Sequence, residues 1–337
     1  MIQTKKITCL VTGGAGFIGS HLVDELISLN YQVVVLDNLS GGFLRNINSK
    51  AIFIKGSINN QRIVNSIFNK YNFDFVFHLA AYAAEGLSPF IRHFNYENNL
   101  IGSINLINAS IKYKIKKFIF TSSIAVYGTN QTPMTEDLEP QPEDPYGISK
   151  YAIELDLKAA HHLFGLDYVI FRPHNVYGER QNHGDPYRNV LGIFINNIML
   201  KKPLTIFGDG NQTRAFTYIK DITPYLAQSA TNDQATNQII NIGSDKPYTI
   251  NQLADIINNC FPQKTEITHL PSRVEVYQAF SSHSKAKKIF NITQTTPIEI
   301  GLKNMIDYAQ KIGPLKTRKF KKIEIEEKLP ESWKKIK

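Results

Sequence analysis

Three glycines spaced three residues apart, Gly13, Gly16 and Gly19, stand between a β-branched run, Ile7-Thr8-Cys9-Leu10-Val11, and a helical apolar pattern from Ser20 to Asn30. A strand that turns directly into a helix through such a series leaves few folds open. Gly13 allows the tight turn, Gly16 lets a phosphate approach the backbone, and Gly19 lets the helix pack closely on the strand. The helix N-terminus then offers free N–H groups and a positive dipole end. The expected ligand is a dinucleotide, with Phe17 and Ile18 beside its pyrophosphate.

The next strand-like run, Val33 to Leu36, ends at Asp37-Asn38, eighteen residues past Gly19. A carboxylate there accepts hydrogen bonds from an adenosine ribose and repels a 2′-phosphate. No Arg or Lys follows before Arg45, so NAD is favoured over NADP. The plain alternative for Asp37 is a turn residue. Further short runs, Ile52 to Ile54, Phe75 to Leu79, Phe118 to Thr121 and Tyr168 to Phe171, alternate with helical patterns such as Leu100 to Tyr113. This rhythm predicts an α/β fold, a Rossmann-like doubly wound parallel sheet. Beyond residue 173 Pro, Gly and Asn-rich loops take over, with one clear helix opening at Thr249 through a capping box to Gln252. The expected organisation is an NAD-binding domain over 1–172, to which later segments return, a smaller α/β nucleotide-sugar lobe over 173–310, and a basic tail over 311–337.

Charge decides little. The net +9 is concentrated in residues 311–337, which hold ten Lys and Arg against four Glu. This tail reads as a solvated surface segment ending in Trp333, and neither a nucleic-acid nor a membrane partner is expected. No apolar run has the length of a membrane span and the N-terminus leads straight into a strand, so a secretory signal is not expected either. Cys9 and Cys260 sit in apolar patterns and are expected to pack in cores, which fits a reducing cytoplasm.

Chemistry enters at Tyr146 and Lys150. Four residues apart on a helix, they share one face, and an ammonium beside a phenol favours the phenolate. The pair could take a proton from an alcohol, although a surface Tyr and Lys one turn apart would look the same. The rest of the chain weighs in. Thr12 to Gly19, Asp37-Asn38, His78-Leu79-Ala80-Ala81, Asn98-Asn99, Thr121-Ser122-Ser123, Tyr146 to Lys150 and Arg172-Pro173-His174-Asn175-Val176-Tyr177-Gly178 occur in one order. Over roughly residues 5–310 this order resembles the extended short-chain dehydrogenase/reductase family, in its nucleotide-sugar epimerase/dehydratase branch.

The resemblance implies the following roles. Tyr146 is the base, Lys150 binds the nicotinamide ribose and lowers the phenol pKa, and Ser123 hydrogen-bonds the reacting sugar oxygen. Asn99 supports the active-site helix. Gly13, Gly16, Asp37, Asn38, Ser57, Ile58, Leu79, Ala80, Ala81, Asn98 and Pro173 surround NAD, while His78 is structural. Asn175, Arg214 and Arg273 hold the substrate diphosphate, because guanidinium forks meet phosphate oxygens two at a time. Thr205 and Phe207 hold a uracil ring. A homodimer built on the Tyr146 helix follows from the same likeness.

The segment after Ser123 reads Ile124-Ala125-Val126-Tyr127, without the carboxylates of the family's dehydratases and decarboxylases. Epimerisation at C4 of a UDP-hexose is therefore the leading expectation. Two departures stand out: Ser57 replaces an Asp that reads adenine, and Ala83 replaces a Lys. Glu85, in the loop facing the substrate, is a carboxylate that plain epimerisation does not need; it is either exposed or the acid/base of a dehydratase.

Overall fold

In this computed structural model residues 6–272, 276–317 and 319–336 are described. Strands β1 (Thr8–Thr12), β2 (Gln32–Asp37), β3 (Ile52–Lys55), β4 (Phe75–His78), β5 (Lys117–Thr121) and β6 (Tyr168–Pro173) form one parallel sheet, and Gln238–Ile242 joins it as a seventh strand beside β6. The spatial order is β3-β2-β1-β4-β5-β6 followed by that seventh strand, so the winding reverses between β1 and β4. Ligands of such sheets bind beyond the carboxyl ends of the strands at this reversal.

Both faces of the sheet are buried. Val11, Val35, Phe77, Ile119 and Phe171 face one core, and Leu10, Val34, Val76, Phe118 and Phe120 face the other. That double burial is why the strands read as continuous apolar runs rather than alternating ones. The first core runs on into the second lobe, where Leu204, Ile206, Leu253 and Ile257 share it. The lobes are coupled by packing, not hinged on a linker.

Helix Phe17–Ser28 follows the glycine turn. Gly13 has φ +73°, and a Cβ there would stand 2.8 Å from the Ala80 nitrogen; one on Gly19 would stand 2.2 Å from the Gly13 carbonyl oxygen. Only glycine tolerates either contact. Helix Ile250–Asn259 carries the expected capping box, with Thr249 Oγ1 accepting from the Gln252 N–H at 3.1 Å. The second lobe adds small sheets: Leu204–Phe207 pairs with Ile267–Leu270, and Thr213–Ala215 lies between Pro247–Thr249 and Gln278–Ala279.

Two expectations fail here. Cys9 is buried in the sheet, but Cys260 is exposed, because it follows the last helical residue and the chain turns away from the core before it. The tail is not a solvated segment. Residues 320–336 fold back on the main body, leaving Leu329 5% and Trp333 6% exposed in a small apolar core of their own with Ala84, Leu87 and Ile91. Lysines between Phe320, Ile323, Leu329, Trp333 and Ile336 face outward and mask this apolar set in a charge count. Among the described residues no helix is long and apolar enough to cross a membrane, and no cluster of His, Cys, Asp or Glu could hold a metal.

Candidate active site

One cavity of about 1590 Å³ runs from the glycine turn across the sheet's carboxyl edge into the second lobe. That exceeds the ~300–1,000 Å³ of an ordinary small-molecule site and suits two large ligands end to end. At one end lie Gly13, Gly16, Phe17, Ile18 and Gly19, with Asp37, Asn38, Ser57 and Ile58 beyond them. Asp37 accepts from the Ala15 N–H at 3.0 Å and the Leu39 N–H at 2.7 Å, which fixes its carboxylate at the end of β2. Burial raises its pKa against those bonds.

Leu79, Ala80, Ala81, Asn98 and Pro173 line the middle of the cavity. Apart from Asn98 these side chains are apolar, and Ala80 and Ala81 are small. His78 lies beneath, its ring nitrogens 2.8 Å from Thr12 Oγ1 and 2.7 Å from Ser103 Oγ, and burial lowers its pKa to about 3. It is a neutral structural group.

Helix Pro145–Phe164 carries Tyr146 and Lys150 into this middle region. Asp144 caps it, accepting from the Tyr146 N–H at 2.8 Å and the Gly147 N–H at 3.1 Å. Ser88 Oγ, 2.9 Å from the same carboxylate, ties the cap to the Glu85–Phe90 loop. Tyr146 is 7% exposed and shares a hydrogen bond with Ser123. Lys150, 3% exposed, donates to the Thr121 carbonyl at 2.7 Å, with its nitrogen 5.8 Å from the Tyr146 ring centre.

The expected lowering of the phenol pKa is not found. Burial pushes it up, Glu85 and Asp144 add to the rise, and the Ser123 bond and Arg188 only partly oppose it. Burial also draws Lys150 down to about 7 against the pull of Glu154. Desolvation penalises phenolate and ammonium alike, so proximity alone does not make an ion pair. Asn99 is tied to the active-site helix through Asn95. It accepts from the Tyr82 N–H at 2.8 Å and donates to Asn95 Oδ1 at 2.8 Å, and Asn95 makes the contact, donating to the Pro145 carbonyl at 2.8 Å.

Asn175, Thr205, Phe207 and Arg214 line the far end. Arg214 donates to the carbonyls of Tyr277, at 3.1 Å, and Val276. Its side chain is thus fixed beside the cavity; Arg273 lies outside the described residues. Asn175, at φ +38°, donates to the Ala215 carbonyl at 3.0 Å.

Three features of the site escape a reading of the sequence. Arg188 lines the cavity, pairs with Asp185 and lies 5.0 Å over the Tyr82 ring. The tail contributes Glu327, Lys328, Glu331, Ser332 and Lys335 to the cavity wall. Behind Lys150, Glu154 and Arg172 form a buried ion pair, 0% and 1% exposed. Only the Lys150-to-Glu154 spacing of one helical turn could have hinted at the last.

A profile described as the NAD dependent epimerase/dehydratase family matches residues 9–243. The chain belongs to this family. A Methanocaldococcus jannaschii protein provisionally named a UDP-glucose 4-epimerase is 40% identical over 285 residues, covering 83% of this chain and 91% of its own length. A crystal structure of UDP-glucose 4-epimerase from Thermotoga maritima with UDP-glucose superposes with a TM-score of 0.87 at 36% identity, covering 91% of this chain and 99% of that one. The UDP-N-acetyl-alpha-D-glucosaminuronate decarboxylase of Bacillus cytotoxicus is 32% identical, covering 91% and 99%. The protein is therefore an NAD-dependent enzyme of the epimerase/dehydratase family, and its relatives carry out more than one reaction. The glycine cradle fits that cofactor, since any Cβ at Gly13 or Gly19 would fill the turn.

Proposed function

We propose that the enzyme interconverts the C4 epimers of a neutral UDP-hexose through a transient 4-keto sugar. The observation that carries this reading is the grouping of Tyr146, Ser123 and Lys150 in the cavity with Ile124 and Ala125, which follow Ser123 where the family's dehydratases and decarboxylases are expected to carry carboxylates. Acting as the phenolate, whose formation the positive charges of Lys150 and of a bound NAD ring would favour, Tyr146 takes the C4 hydroxyl proton, Ser123 steadies that oxygen, and the C4 hydride leaves the sugar. NAD, when bound, supplies the hydride acceptor and a positively charged ring. Lys150 orients the nicotinamide ribose. Once the keto sugar presents its other face, hydride and proton return, so oxidant is neither gained nor lost.

Asp37 and Asn38 are assigned to the adenosine ribose, and Ser57 and Ile58 to the adenine. Asn175 and Arg214, with Arg273 outside the described residues, are assigned to the substrate diphosphate, and Thr205 and Phe207 to the uracil. The implied homodimer would use the long helix, where Ile148 and Leu155, seven residues apart on one face, stand 39% and 47% exposed. A dimer mass in analytical ultracentrifugation is expected, and a monomer would remove that assignment.

A second reading rests on Glu85, which lines the cavity and whose charge reaches Tyr146. Placed over C5 of the sugar, it would drive loss of water from the keto intermediate and make the enzyme a dehydratase. Proton NMR of the enzyme with NAD and UDP-glucose, UDP-galactose or UDP-N-acetylglucosamine separates the two. A new anomeric signal without net NADH is expected, with Glu85→Gln still turning over. Loss of the C6 hydroxymethyl signals, abolished by Glu85→Gln, would establish dehydration instead.

A further inference from the structure

We propose that the C-terminal segment, residues 319–336, is a wall of the sugar site, held there by Trp333, and that it fits the enzyme to an uncharged hexose. The inference rests on the epimerase reading for the identity of the ligand, but not for the placement of the wall. The segment is built in at several points. Phe320 donates its N–H to the Tyr187 hydroxyl at 3.1 Å, and its ring lies 5.2 Å from that of Tyr82 and 5.0 Å from that of Phe94. Glu324 spans the N-terminus of the short helix Arg92–Tyr96, accepting from the His93 N–H at 2.8 Å and the Phe94 N–H at 2.9 Å. Trp333 then packs edge-on against Tyr187 at 5.2 Å and Phe90 at 6.3 Å.

What the segment leans on is the substrate loop. A Cβ on Gly86 would stand 3.5 Å from the Trp333 ring, so the indole backs the residue next to Glu85. Ser88 of the same loop bonds the Asp144 cap of the Tyr146 helix at 2.9 Å, and Glu85 acts electrostatically on Tyr146 itself. The tail is thus one packed layer from the reacting atoms. It also reaches the cavity directly, through Glu327, Lys328, Glu331, Ser332 and Lys335. Two lysines against two glutamates leave this wall neutral. Hydroxyls or an acetamido group can find donors and acceptors here, whereas a sugar carboxylate meets no net positive charge on this wall.

The wall also explains how a keto sugar could turn over without escaping. With a sugar bound it would close off the part of the cavity that it lines, which is the role lids perform in enzymes with reactive intermediates.

Trp333 is the chain's single tryptophan, so its fluorescence reports on this wall with no label. Titration of the NAD-loaded protein is expected to change Trp333 emission and to reduce its quenching by acrylamide with UDP-glucose or UDP-N-acetylglucosamine, and not with UDP alone. UDP-glucuronic acid is expected to bind at least about tenfold more weakly, as a misplaced charge costs more than 1.4 kcal/mol. A response identical for UDP and the UDP-hexoses, or equal affinity for the sugar acid, would overturn the proposal.

Deleting residues 319–337 is expected to raise KM for the hexose about tenfold and to let NADH accumulate as keto sugar escapes, with NAD binding unchanged. The milder Trp333→Phe keeps an aromatic ring in place and is expected to behave as wild type, whereas Trp333→Ala follows the deletion. If both shortened and alanine forms turn over normally without NADH build-up, the segment is only structural. If the intact enzyme acts on some other sugar while Trp333 still responds to it, the reaction assigned above is wrong and the wall stands.

Discussion

Tyr146→Phe is expected to lower kcat by about a thousandfold, within the ~10²–10⁴ that a positioned acid/base contributes, while NAD still binds. The substitution removes one oxygen. It leaves the ring packing of a residue 7% exposed and the Asp144 cap on its own N–H untouched. The glycine turn and Asp37 lie at the other end of the cavity and do not feel it. Equilibrium titration with NAD measures the second half of the expectation, and single-turnover hydride transfer the first. A loss of only a few-fold would mean that another group takes the proton.

The same site carries a pH signature. Burial holds Lys150 at about 7, well below an ordinary lysine. The ammonium that is to meet the nicotinamide ribose is therefore present below that pH and lost as pH rises through it. NAD affinity is expected to fall above pH 7 by up to about tenfold per unit, the limit for one linked proton. Lys150→Met, which has no proton to lose, should show weak affinity and no such slope. A wild-type profile flat between pH 6 and 9 would show that the lysine stays charged or is not used.

Much of this arrangement could be read from residues in order. A parallel sheet buried on both faces needs runs such as Val33-Val34-Val35-Leu36, and a strand-to-helix turn under a pyrophosphate needs glycines that no other residue replaces. Those demands are local, so they leave a local trace. The small sheets of the second lobe leave none, because strands of two to four residues pair across long separations, as Arg214 does with Tyr248 and Ala279. Arg188 is placed by Asp185 in a loop with no period. The tail was misread for a related reason: Phe320, Ile323, Leu329 and Trp333 fit neither a helix nor a strand repeat, and the lysines among them dominate any average. Cys260 shows the opposite error, an apolar repeat followed one residue past the end of its helix.

The largest effect on stability is expected from Glu154, which touches no part of the cavity. Its carboxylate receives Arg172 Nε at 2.9 Å, Arg172 Nη2 and the Ser122 hydroxyl, all away from solvent. Burial alone would lower the Arg172 pKa, but the bonds and charge of Glu154 carry it above the usual value. Glu154→Gln keeps the shape and removes the charge, leaving a guanidinium buried without its counter-ion. Removing one partner of such a pair costs about 3–5 kcal/mol. In a chain of this size that corresponds to a melting temperature lower by roughly 5 °C, measurable by calorimetry. The pair also acts through Lys150, whose pKa Glu154 raises. Without that support the lysine titrates lower still, so the fall in NAD affinity should begin at a more acidic pH than in wild type. Replacing Glu154 and Arg172 together by methionine separates the two roles. An apolar pair of similar volume is expected to recover most of the stability, yet the acid-shifted NAD profile should persist, because the charge facing Lys150 is still gone. Recovery of both would show that Glu154 matters only as the partner of Arg172.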